Sequence, residues 1–177
     1  MEGKMDLNLK DRLLIYNQAR ILEALYPDEA HNYKSVQTIM MDGYKYLYDD
    51  MVEFFTKPGE ELSFEISKLL INFLSMFRAI HHSLLNIPNK DGLDIDVLSF
   101  QGFDGNDETQ YMSFVQFFCT EFEERGRFNE LWEKTHEFNS HASMFDRYQA
   151  MHDEWKKSRD QQQLSKEDLI RIQNAIR

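Results

Sequence analysis

Apolar residues recur at spacings of three and four along most of the chain, and one stretch carries the pattern furthest. From Glu65 to Ile87, the residues Ile66, Leu69, Leu70, Phe73, Phe77, Ile80 and Leu84 form one stripe, with no proline or glycine inside. That periodicity is the mark of an amphipathic helix. Leu74, Met76 and Leu85 widen the stripe, so it predicts a helix covered on more than one side. Lys68, Asn72, Arg78, His81 and His82 interrupt the run, which makes it a core helix rather than a membrane span.

The same pattern, cut by breakers, predicts further helices on both sides. A first helix is expected from Leu9 to Tyr26, with Leu14, Gln18, Ile21, Leu22 and Leu25 on one face. Pro27 ends it, because the residue before a proline is pushed out of helical geometry. Asp28 suits the start of a second helix, which Gly43 stops. A third is expected from Tyr44 to Phe55, with Tyr44, Leu47, Tyr48, Met51 and Phe55 inward. The long helix follows the turn at Lys57-Pro58-Gly59 and ends at Pro88.

Leu93 to Asn106 has another texture. Asp94, Asp96 and Asp104 alternate with Ile95, Val97, Leu98, Phe100 and Phe103, which reads as an ordered loop with one helical turn. A short strand there would have no evident partner. A fifth helix is expected from Asn106 or Asp107, carrying Tyr111, Phe114, Val115, Phe118 and Phe122 inward to Gly126. Phe128 to Ser140 has no clear period. Ser143 is the expected cap of a helix through Lys157 with Met144, Tyr148, Met151 and Trp155 on its stripe. Ser165 and Asp168 form a capping-box pair for a last helix to Ala175 or Ile176, and Leu164 can staple onto Leu169. No alternating strand pattern exceeds four residues. The expectation is an all-α protein, a single domain over 1–177 of seven or eight helices around residues 65–87, with Met1 to Lys4 a ragged start.

Charge and cysteine content narrow the function. A formal net charge of −11 disfavours a nucleic-acid partner, because such binders need a basic face to displace counterions. The charge is uneven: Asp91 to Glu124 holds nine acidic residues and no Lys or Arg, while Lys156 to Arg177 holds six basic residues against three acids. Two solvated faces explain this; docking of the basic tail on the acidic stretch is the sharper reading. Cys119 is the one cysteine, and its neighbours Glu121, Glu123 and Glu124 oppose a reactive thiolate. No signal peptide precedes the first helix and no apolar run has membrane length. A cytoplasmic protein without a membrane partner is expected.

The usual chemical motifs fail. No glycine-rich turn follows a strand. Asp104, Asn106 and Glu108 open like a calcium loop, but Thr109 stands where glycine is needed and Val115 where a bidentate glutamate is needed. His81, His82, His136 and His141 show no converging spacing, so no metal and no cofactor is expected. The aromatics Phe54-Phe55, Phe117-Phe118 and Phe128 are not expected all to face one core. Some should meet a second surface, which predicts a homo-oligomer or a protein partner.

The combination of Phe100-x-Gly102-Phe103-Asp104, Tyr111, Thr135-His136-x-Phe138-Asn139 and Met144 with Tyr148, Met151 and Trp155 resembles the YfbU family. Asn17-Gln18, Gln37-Thr38-Ile39, Gly43-Tyr44 and His81 agree with it as well, from Met5 to Ala175. The resemblance implies an all-helical bacterial protein of a family without an established biochemical activity, and it supplies no catalytic residue. Arg78, His82 and His141 depart from the pattern. The polar residues that match are His81, Asp104, His136, Asn139, Asn17 and Gln18. They have two readings: hydrogen-bonded ties of an irregular loop to the core, with Asp104 a helix cap, or the lining of a pocket. The pocket reading requires His81, Asp104 and His136 in one cleft. The function expected first is a helical interaction or regulatory module acting through self-association and an aromatic-rich surface. The alternative is an enzyme or a small-ligand or metal-binding protein using the His81, Asp104 and His136 set.

Overall fold

The computed structural model describes residues 5–57, 59–122, 126–132 and 138–176. The architecture is all-α: among the described residues no strand forms beyond one isolated bridge, between Phe103 and Asn139. The chain divides into two compact units, Met1–Glu61 and Leu62–Arg177.

The first unit is a helical hairpin. Helix α1 spans Leu9–Leu25 and starts at Asn8, whose side chain accepts from the amides of Lys10 and Asp11 while Asp11 accepts from the Asn8 amide. Pro27 opens a single 3-10 turn, Pro27–Glu29, and α2 spans Ala30–Asp42. Asp28 therefore sits inside that turn and does not cap α2. Gly43 ends α2 at φ 71°, the left-handed conformation that only glycine adopts freely. Arg12 reaches across from α1 and donates to the carbonyls of Met40 and Met41, at 2.7 and 2.8 Å. These carbonyls belong to the last turn of α2, where no intrahelical donor remains for them.

The helix expected from Tyr44 to Phe55 does not form. Two 3-10 turns, Lys45–Leu47 and Asp50–Val52, take its place. Tyr44, Tyr46 and Tyr48 are poor helix formers and Asp49-Asp50 favours turns. Short turns bury Tyr48 completely but leave Tyr44 and Phe55 exposed. Asp49 is drawn to the start of the chain, where its carboxylate accepts from the Met5 amide at 2.8 Å.

The second unit is built round α3, Phe64–Asn86, capped by Ser63 and within one residue of the expected bounds. Leu70, Phe73, Leu74, Met76, Phe77, Ala79, Ile80, Ser83 and Leu84 are buried along it. Helices α4 (Thr109–Phe117), α5 (Asn129–Trp132) and α6 (Phe145–Trp155) pack on α3, and α7 (Lys166–Asn174) packs on α6. Phe73 meets Phe145 and Tyr148 edge-on, and Phe77 meets Phe100 and Tyr148. Aromatic pairs in this geometry add to the stabilisation from burial.

The fifth predicted helix starts later than expected, at Thr109, and its end widens into a π-turn over Phe118–Phe122. The wider i→i+5 winding turns Phe122 off the inward face, so it is exposed while Val115 and Cys119 are buried. The last helix carries the expected box: Ser165 accepts from the Asp168 amide and Asp168 from the Ser165 amide. Leu164 and Leu169 are both buried in the core. α7 does reach the start of the acidic stretch, but through a neutral amide. Gln173 accepts from the Asp94 amide and donates to the Gly92 carbonyl. Arg171 pairs instead with Glu154 and Asp168.

Candidate functional site

The residues from Leu93 to Asn106 form the ordered loop that their texture predicts, and the loop runs on to Glu108 before α4 begins. Asp94 caps one helical turn by accepting from the amides of Asp96 and Val97. Leu98, Phe100 and Phe103 then plunge into the core. Phe103 finds a partner after all: its amide donates to the Phe138 carbonyl and its carbonyl accepts from the Ser140 amide. Gly102, at φ 90°, permits this approach, because a Cβ there would lie 1.9 Å from the Phe138 oxygen.

That bridge brings Asp104 and Asn139 together. Asp104 accepts from the amides of Asn106 and Asp107, at 2.6 and 3.1 Å, which hold its carboxyl below the usual range. Asn139 accepts from the amides of Gly105 and His141. The hub is Glu108, which the sequence offered only as part of a failed calcium loop. Its buried carboxylate accepts from the amides of Asp104, Met144 and Phe145 at 2.8–3.0 Å. α6 is therefore capped by Glu108, not by Ser143, and Met144 has no local side-chain cap. A carboxylate on these free amides meets the positive end of the helix dipole. Two amides on Asp104, three on Glu108 and two on Asn139 leave this cluster occupied with holding two loops together.

His81 lies elsewhere, in a hollow of about 140 Å³ lined from α3, the 90–100 loop and α5. The floor is apolar: Phe77, Leu84, Leu98, Phe100 and Leu131. The rim carries Lys90 and Glu130 beside His81, and Asp104 and Asn139 take no part. Glu130 accepts from Arg78 Nε at 3.2 Å and lies 3.3 Å from His82 Nε2. The ring of His82 meets that of His81 edge-on. Arg78 and His82 are thus the partners of Glu130. His136 falls outside the described residues. Asn17 and Gln18 belong to α1 in the first unit, where both are exposed. Among the described residues no group of three or more His, Cys, Asp or Glu side chains could hold a metal. Nor is any helix among them long and apolar enough to cross a membrane.

One further histidine escaped the sequence reading. His152 is buried on α6 between Phe73 and Trp155, with ring centroids 5.6 and 5.5 Å away. Burial pushes its pKa down to about 4, and Lys156 adds to the effect. Its Nδ1 has no hydrogen-bond partner among the described residues. The signal was available: residue 152 follows the stripe residue Tyr148 by four, so the two share a face.

The family pattern of the YfbU domain matches residues 5–175 of the 177, spanning both units, the 93–108 loop and the α-helices α1 to α7 of the described residues.

Proposed function

The chain belongs to the YfbU family, and on that premise we propose that it is a self-associating helical module whose contact face is α1. One observation carries this reading: the amphipathicity of α1 is turned outward. On its inner side Arg12 and Glu23 bind residues of α2, and the buried residue is Ala19. On its outer side Leu14, Gln18, Ile21 and Leu25 are all exposed, at successive spacings of four, three and four. Leu9, Leu13 and Leu22 extend the exposed apolar surface.

A soluble helix normally buries its apolar side. Here only Ala19, Met40 and Tyr48 are buried hydrophobics among the described residues of the unit. So small a core supplies little stabilisation to a two-helix hairpin. The four-three-four spacing is that of a coiled-coil seam, so a second α1 from another copy fits it. Gln18 then sits inside the seam, where a polar residue fixes register at some loss of stability. Charge does not oppose the contact locally: α1 carries Lys10, Arg12 and Arg20 against Asp11 and Glu23, although the whole chain is at −11.

Sedimentation velocity at micromolar concentration tests the reading. The expected mass is twice the 21.2 kDa of the chain. The double variant Leu14→Asp with Ile21→Asp is expected to run as a folded monomer. A monomer for the unaltered chain across that concentration range overturns the proposal.

A further inference from the structure

We propose that the hollow beside His81 binds a small monocarboxylate with a compact apolar body. Its volume, about 140 Å³, is of the size that takes up a molecule like benzene. The floor residues Phe77, Leu84, Leu98, Phe100 and Leu131 are all buried hydrophobics. Ile95 and Leu85, both exposed, stand at the mouth. A ligand therefore has an apolar socket with an entrance, not a sealed packing defect.

The charges on the rim select the head group. Glu130 already pairs with Arg78 and lies beside His82, so an incoming cation would find its carboxylate engaged. Lys90 is different: it lines the same hollow and makes no ion pair among the described residues. Its backbone is fixed, because its carbonyl accepts from the Leu93 amide at 3.0 Å and neighbouring Asn89 accepts from the Asp91 amide at 2.8 Å. A carboxylate at Lys90 with an apolar body on the floor uses both features. One ammonium without a fan of backbone amides suits a single negative charge rather than a phosphate group. The site is independent of the α1 contact, since every residue that lines it belongs to the second unit.

Titration of the full chain with benzoate, followed by amide chemical shifts, tests this, with benzyl alcohol as the uncharged counterpart. Benzoate is expected to bind with a Kd of about 1 mM and to shift the amides of Leu84, Leu98 and Leu131. Lys90→Gln should weaken benzoate about three- to tenfold and leave benzyl alcohol unaffected. Ile95→Trp, at an exposed position, should block both ligands without changing the thermal melt. Absence of shifts with benzoate overturns the site. Equal binding of benzoate and benzyl alcohol, or no effect of Lys90→Gln, overturns the carboxylate assignment.

Discussion

The two units solve the problem of a helix's apolar face in opposite ways. The second unit wraps a single helix, α3, with α4, α5, α6 and an ordered loop, so that Phe73, Phe77 and Ile80 lose nearly all contact with solvent. The first unit pairs two helices through Arg12 on backbone carbonyls and Glu23 on Gln37. Its leucines stay outside. Polar ties fix geometry but contribute modestly to net stability, whereas apolar burial is the dominant favourable term. The second unit is therefore the expected seat of the protein's own stability, and the first unit the expected seat of its association.

The largest test of this contrast is at the centre of α3. Phe77→Ala removes a buried ring that packs on Phe100 and Tyr148, and should cost about 3–5 kcal/mol in urea unfolding. A cost below about 1 kcal/mol would mean that the core lies elsewhere. Next comes Glu108→Ala, which strips the acceptor from the amides of Asp104, Met144 and Phe145. Leaving such donors unpaired should cost about 3 kcal/mol; Ser143→Ala, by contrast, should be nearly silent, since Ser143 caps nothing.

A pH titration probes the second unit by a different route. His152 has a folded-state pKa of about 4 against an ordinary 6.5, so the unfolded chain binds its proton more readily. Its contribution is fully present above pH 6.5 and is lost as pH falls towards 4, a change on the order of 3 kcal/mol. Asp104 also favours the folded state above its ordinary value of 3.8, but that share is lost only at lower pH. His152→Leu should flatten the stability curve between pH 6.5 and 4; an unchanged slope would place the titrating group elsewhere. The smallest effect is expected at the outer face of α1. Leu25→Ala should change unfolding of the dilute chain by less than about 0.5 kcal/mol, while measurably weakening association by sedimentation.

What could be read from the sequence was local. α3 followed from its period, and the Ser165–Asp168 box followed from a spacing of three. Gly43 was legible as a stop because its left-handed φ is a property of one residue. The run from Tyr44 to Phe55 misled because apolar spacing alone resembled a helix, while its tyrosines and paired aspartates preferred turns. The candidate site depended on distance along the chain. Glu108 reaches Met144 across 36 residues, and no pattern within either segment announces it. Asp104 and Asn139 meet only because Phe103 bridges to the 138–140 segment. Ser143 looked like a cap because hydroxyls are common there; a buried carboxylate from another loop outcompeted it. The outward leucines of α1 were visible as one face, but which side that face would present was a matter of tertiary packing.

The central claim is that the hairpin of α1 and α2 is held by a second copy while α3 is held by its own chain. Amide hydrogen exchange measured across a hundredfold dilution tests it most directly. The account predicts that protection of α1 amides falls as the protein is diluted while protection of the buried α3 amides stays constant. Protection of α1 that is independent of concentration and equal to that of α3 would contradict it.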